Sequence, residues 1–462
     1  MPSLRSERAS RCPAPVLDDF RRRVPWLVLL GLFWSHAEAN GPLFDDGYDT
    51  TSPSWTVADS DASPRLIGHG RVPEAARRGD AGERIVVDAA TGTRLRIQTP
   101  VGPAAAIDEL VAAIWLRCNR ADVRIAADYP LVAERLDRFS VIRSLVSREG
   151  DHERGTHAVR TGYRPDPTVV HPSLGAVTAQ QSPVTGLDIP PYIALGSDGF
   201  PGRGGYLGGR FDPYRVFVPG LAGQNLEPAV RGPRQDRRLT AVRGLDAAFA
   251  AGRGVPVRES LHDHTLDAAV ALMSSEQLAA FSVTEEPAEV RDRYGDTPFG
   301  RGCLVARRLI EAGVRSVDVT LQGFDTHAAN FTGHAAQAVI LDRAVAALVD
   351  DLAARDLAES TVVLVAGEFG RTPKINPLDG RDHWPHGFSC LLTGGGIVPG
   401  RVIGETDPQG ESRTPTDPVT VADLAATVLA ALGIDWQREL VTPIGRPLKL
   451  AEGTPVKGLV KG

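Results

Sequence analysis

Hydrophobic and polar positions are most regular in the second half of the chain. Cys303 to Ala312 reads as a helix stopped by Gly313, because glycine adopts the left-handed conformation that closes helices without steric cost. Arg315 to Leu321 alternates, with Val317, Val319 and Leu321 on one face and Asp318 and Thr320 on the other, the period of a strand. His334 to Leu357 carries Leu341, Val345, Leu348 and Leu352 at helical spacing. Thr361 to Ala366 is continuously apolar, as in the buried centre of a parallel sheet. Strand, long helix and strand of these lengths predict a βαβ crossover with parallel strands. Phe388 to Leu392 predicts a further strand. Thr420 to Leu432 predicts a helix opened by Thr420-x-x-Asp423 and closed by Gly433.

Upstream the pattern thins. Leu131, Val132, Leu136, Phe139, Ile142 and Leu145 predict a helix running into a buried strand near Ser140 to Leu145. The run Asp151-His152-Glu153-Arg154-Gly155-Thr156-His157 is too polar for a core and reads as a loop lining a cleft or the surface. Ser260 to Phe281 reads as a helix, and Gly199 to Pro213 as an extended loop. Its glycines lack a preceding strand and a Gly-Lys-Ser/Thr ending, which excludes a nucleotide-binding loop. Between residues 40 and 120 periodicity is weak. Arg84 to Val87 and Arg94 to Gln98 predict a hairpin around Ala90-Thr91-Gly92.

The N-terminus supports two readings. Arg21-Arg22-Arg23, an apolar run from Val24 to Trp34 and the ending Ala37-Glu38-Ala39 describe a signal peptide cleaved after Ala39. The run is too short to span a bilayer, so no membrane span is expected in the mature chain. The alternative is a buried strand, Trp26 to Leu32.

With 462 residues, 42% hydrophobic and 23% charged, the chain can bury a sizeable core in one large or two ordinary domains. A net charge of -6 argues against a nucleic-acid partner. The 4 cysteines are scattered without a C-x-x-C pair, which excludes a cysteine zinc cluster and a disulfide scaffold.

Parallel strands end on one edge of their sheet, where ligands bind in open α/β folds. The first crossover strand is followed by Gln322-Gly323-Phe324-Asp325-Thr326-His327, and the second by Gly367-Glu368-Phe369-Gly370-Arg371-Thr372-Pro373-Lys374. The second loop runs on to Gly380-Arg381-Asp382-His383-Trp384-Pro385-His386. Asp325, His327, Glu368, Asp382, His383 and His386 therefore share one rim. Carboxylates and imidazoles without cysteine suit a divalent cation such as zinc, manganese or calcium. Asp-x-His directs alternate side chains of an extended segment to one side. A divalent ion polarises a phosphoryl or sulfuryl oxygen and activates water at neutral pH. Arg371 and Lys374 add positive charge for a tetrahedral anion. His152 and His157 are further candidates for the cleft, His386 for its rim, and Asp382 for orienting His383.

These motifs, together with Gly404-Glu405-Thr406-Asp407, Thr161-Gly162-Tyr163 and His171-Pro172-Ser173-Leu174-Gly175, resemble a bacterial family known as domain of unknown function 1501. That family is related to the alkaline phosphatase, sulfatase and cofactor-independent phosphoglycerate mutase superfamily. The resemblance runs from about Leu131 to Leu450. It implies an α/β fold, an alkaline phosphatase-like three-layer sandwich with a central, mostly parallel sheet and a divergent N-terminal part. By position, Asp325, His327 and His383 resemble the superfamily's first metal set, and Glu368 the acidic member of a second. Phe369 stands where the superfamily usually has histidine. The early Gly-Gly-x-Ser-x-x-Asp stretch of the family is absent, and the nearest text is Trp34-Ser35-His36, so no nucleophile is identified.

The expected division is a signal peptide over residues 1–39, a divergent segment over 40–120 and an alkaline phosphatase-like domain over 121–462. The implied protein is an exported, periplasmic or extracellular, metal-dependent hydrolase of phosphate or sulfate esters. Glu368 would act as a base or second-ion ligand, Arg371 would hold the anionic group, and the substrate would be a small anionic ester. The alternative is a non-catalytic secreted binding or structural protein that keeps the fold.

Overall fold

The computed structural model describes residues 129–196, 199–220, 230–251, 261–407 and 412–461, with the backbone of strands at Trp26–Leu32, Thr56–Val57, Arg65–Val72, Gly82–Asp88 and Ile97–Gln98. The centre is a 9-stranded sheet. Its strands are β1 (Trp26–Leu32), β2 (Phe139–Val146), β3 (Tyr192–Leu195), β4 (Tyr214–Val216), β5 (Ser316–Leu321), β6 (Thr361–Ala366), β9 (Phe388–Thr393), β10 (Val402–Ile403) and β11 (Val419–Thr420). A hairpin, β7 (Gly370–Arg371) with β8 (His383–Trp384), stands apart from it. The sheet order is β10-β2-β9-β6-β1-β5-β3-β4, with β11 also on β2. Only β9 runs against its neighbours.

Helices cover both faces. On one side lie α3 (Pro298–Glu311) and α4 (Asn330–Ala354), and on the other α1 (His152–Thr161), α2 (Leu174–Gln181) and α5 (Val421–Ala431). The alternation of β6 builds both cores, Val363 and Val365 entering the first and Val362, Leu364 and Ala366 the second. The fold is thus the expected α/β sandwich with a mostly parallel sheet. The predicted capping box at Thr420 and Asp423 is formed, and Gly313 and Gly433 both have positive φ.

The crossover from β5 through α4 to β6 is parallel as predicted, but the two strands do not touch. β1 fills the place between them, Leu29 pairing with both Asp318 and Leu364. The segment that also read as a signal peptide is here a strand hydrogen-bonded on both sides, so cleavage after Ala39 would remove the middle of the sheet.

Two local expectations are corrected. The polar run from Asp151 is the start of α1, because the Asp151 side chain accepts the Arg154 N–H as an N-cap and the following Ala158 and Val159 are buried. Upstream, Gly82–Asp88 does contain the predicted strand, but its partner is Arg65–Val72, while Ile97–Gln98 pairs with Thr56–Val57. A long strand satisfies more backbone groups against another long strand than against a two-residue one. Among the described residues no helix is long and apolar enough to cross a membrane.

Candidate metal centre

Four segments meet where β5 and β6 end. After β5 the chain turns at Gly323, whose φ of 106 suits glycine alone, and presents Asp325 and His327. After β6 it presents Glu368 and Phe369 and enters β7. In the β7–β8 ladder Arg371 stands directly opposite His383, so both side chains share one face. From the other layer comes the first residue of α1, His152. Gly155 permits this approach, since a Cβ there would overlap the Phe369 ring and press on Glu368. Gly380 in turn packs against the backbone of His327, where no side chain fits.

Asp325 is the hub, buried at 8% exposure. Its Oδ1 lies 2.8 Å from Nε2 of His327 and 3.7 Å from Nε2 of His383, and those two nitrogens are 3.0 Å apart. Its Oδ2 lies 3.5 Å from Nε2 of His152. Arg371 donates from Nη2 to Oδ1 at 2.6 Å and from Nη1 to the Arg381 carbonyl at 2.7 Å.

The other ring nitrogens are all engaged. Nδ1 of His383 faces the Gly150 carbonyl at 2.7 Å, Nδ1 of His327 faces Asp382 at 2.8 Å, and Nδ1 of His152 faces Glu368 at 2.7 Å. A carbonyl only accepts, so Nδ1 of His383 carries its proton, and an ionised Asp382 assigns the same tautomer to His327. With both rings in that neutral tautomer, two Nε2 lone pairs would face each other across 3.0 Å beside a carboxylate oxygen. Such an arrangement is repulsive alone and favourable around a cation, so these residues fit a divalent metal ion.

Burial and these contacts also set the charges of the cluster. Burial disfavours the charged form of His152, but hydrogen bonds to Asp325 and Glu368 outweigh it and push its pKa up to about 9. Burial raises Asp325, yet His152, His383 and Arg371 together hold it well below the usual carboxylate range. Burial dominates at Glu368 and raises it, and burial pulls Arg371 down to about 10, still charged at neutral pH. The hydrogen bond from His327 holds Asp382 low. The carboxylates Asp325, Glu368 and Asp382 thus face two cations, Arg371 and His152.

Of the residues proposed from sequence, Asp325, His327, His383, Glu368, Arg371, Asp382 and His152 come together. Lys374 is exposed on the loop beyond β7. The ring of His386 packs edge-on against Trp384 at 5.0 Å, and that of His157 faces His171 at 6.4 Å. Phe369 lies against His383 and His152, with ring centroids 4.5 and 5.2 Å away. Trp34-Ser35-His36 lies outside the described residues. Sequence reading placed His152 in a polar loop; the signal it passed over is the Asp151 cap, which starts α1 at that residue.

Residues 88–460 match the model of a family described as Protein of unknown function (DUF1501). The chain belongs to this family. Every residue of the candidate centre in this DUF1501 chain falls within the matched range, whereas β1 precedes it. No curated protein matches the sequence. Solved structures with some likeness include the C-terminal periplasmic domain of EcEptC from Escherichia coli in complex with Zn, at 10% identity and TM-score 0.36 over 95% of this chain and 92% of that one. Ps i-CgsB in complex with k-i-k-neocarrahexaose is 11% identical, with TM-score 0.35 over 66% of this chain and 67% of that one. A protein in the alkaline phosphatase superfamily from Vibrio parahaemolyticus is 11% identical, with TM-score 0.30 over 66% and 61%. At these values the functional reading rests on this chain's own residues.

Proposed function

We propose that this DUF1501 chain is a metal-dependent hydrolase of phosphate or sulfate esters. The observation that carries the reading is the convergence of Asp325, His327 and His383, whose donor atoms lie 2.8, 3.0 and 3.7 Å apart with both rings anchored through Nδ1. These residues would hold the cation, which when bound polarises a phosphoryl or sulfuryl oxygen. Arg371 keeps Asp325 ionised and in place. Glu368, buried and 2.7 Å from Nδ1 of His152, would hold that ring in place beside Asp325. Lys374, exposed on the loop beyond β7, would add positive charge that attracts an anionic ester. Export, with the ester met outside the cytoplasm, belongs to the same reading provided β1 is retained.

The test is hydrolysis of an aryl phosphate and an aryl sulfate by metal-loaded protein. Turnover of one ester, abolished in His327→Ala, is expected. Metal-loaded protein that turns over neither ester class defeats the reading. One observation favours the non-catalytic alternative: Arg371 is buried and spent on Asp325 and the Arg381 carbonyl, so it does not reach outward to an anion. Stoichiometric metal without turnover would establish that alternative.

A further inference from the structure

Resting on the reading of this site as a metal centre, we infer that His152 is a fourth protein ligand of the same cation, through Nε2, and that Glu368 is the carboxylate that orients it rather than a ligand.

Three imidazoles surround Asp325, and all three are arranged alike. Each places Nδ1 at 2.7 or 2.8 Å from an oxygen: Asp382 for His327, the Gly150 carbonyl for His383, Glu368 for His152. Each then turns Nε2 towards the Asp325 carboxylate. Metal-bound histidines almost always donate their second ring nitrogen to a carboxylate or carbonyl in this way, since the acceptor fixes the tautomer and raises the basicity of the ligating nitrogen. His152 meets that description as fully as the two residues recognised from sequence.

The spacing fits. Two ligands on a tetrahedral zinc ion, each at about 2.1 Å, stand about 3.4 Å apart. Nε2 of His152 is 3.5 Å from Oδ2 of Asp325, and one donor atom each from His152, Asp325 and His383 all lie within 4.8 Å of one another. The rings of His152 and His383 meet edge-on with centroids 4.4 Å apart. Glu368 sits on the opposite nitrogen of His152, only 2% exposed, with Oε1 occupied by that ring. It acts through His152 as a positioning residue.

With His327, which faces the other oxygen of Asp325, the set would comprise three histidines and one aspartate. Closed four-ligand sites are typical of structural zinc, and catalytic sites keep a position for water. With His152 bound as well, turnover would need a further position for water on the ion.

The experiment uses cobalt(II) as a spectroscopic probe and zinc competition for affinity, on the full chain and on His152→Gln, His152→Phe and Glu368→Gln. Phe preserves the ring packing against Phe369 and His383, and Gln guards against loss of fold through either aromatic or polar strain. The full chain is expected to give the intense visible absorption of four-coordinate cobalt. Both His152 variants are expected to give a visible cobalt spectrum shifted from that of the full chain, as water replaces the ring, with zinc affinity reduced at least as much as in Glu368→Gln. Glu368→Gln is expected to keep the four-coordinate spectrum and lose about 10–100-fold in affinity. If the full chain binds metal and the folded His152 variants match it in spectrum and affinity, the inference is overturned while the centre stands. If the full chain binds no metal, the centre itself is overturned.

Discussion

Oε1 of Glu368 lies 2.7 Å from Nδ1 of His152, although the two residues are 216 positions apart in the chain. The contact ties the first turn of α1 to the end of β6 and makes the seating of α1 on the sheet part of the site. Everything that holds α1 in register therefore bears on the metal centre.

One such hold is buried. Arg160, near the end of α1, places Nη1 3.3 Å from Oδ2 of Asp318 in β5, and the Tyr192 hydroxyl donates to the same oxygen at 2.7 Å. Both ionic side chains are almost wholly inaccessible, at 3% and 2% exposure. Removing one partner strands the other charge, so Asp318→Ala is expected to cost about 3–5 kcal/mol. Replacing Arg160 and Asp318 together by leucine is expected to cost less than that. Urea unfolding midpoints at constant slope check both, and a loss below about 1 kcal/mol in the single variant would contradict the burial of the pair.

A chain starting at residue 40 lacks β1 and leaves β5 and β6 unpaired along facing edges. It is expected to be insoluble or to unfold without a cooperative transition, whereas the full chain unfolds cooperatively. N-terminal sequencing of the protein made in a host that exports it is expected to show that Trp26 to Leu32 are retained. A stable, cooperative protein starting at Asn40 would favour the signal-peptide reading.

His171 supplies a pH dependence away from the metal centre. Its ring stacks on Tyr163 at 4.0 Å, and burial lowers its pKa from 6.5 to about 4. Between those values the unfolded chain binds a proton that the folded protein refuses. Stability is therefore full above pH 6.5 and declines as pH falls to about 4, with up to about 3 kcal/mol at stake from this group. His171→Phe, which keeps the stack, is expected to flatten the curve over that window in pH-resolved unfolding. An unchanged slope would show that the ring charges in place.

His327 is positioned from two sides. Asp382 faces its Nδ1, and Gly380 lets another strand of chain lie against its backbone. Asp382→Ala is expected to weaken zinc binding about 10–100-fold. Gly380→Ala is expected to weaken it as well, by pushing the His327 backbone away, with little change in thermal stability elsewhere. Zinc competition titrations read both, and wild-type affinity in Gly380→Ala would show that the loop yields.

Much of this was legible in the residues themselves. The alternation of Val317, Val319 and Leu321, the apolar run from Thr361 to Ala366 and the helix between them specify two parallel strands, because backbone period and side-chain burial are coupled within a few residues. Parallel strands share an end, so Asp325, His327, Glu368 and His383 followed onto one rim.

Tertiary structure alone decided the rest. The run Trp26 to Leu32 reads equally as a signal segment or a strand, and its pairing with β5 and β6 cannot be read along the chain. His152 gained its role in the same manner: nothing within α1 marks its ring as a partner of Asp325 and Glu368, because that depends on how two layers stack across a sheet. Periodicity and caps are local and can be read along the chain, whereas convergence of donor atoms is a property of three-dimensional packing.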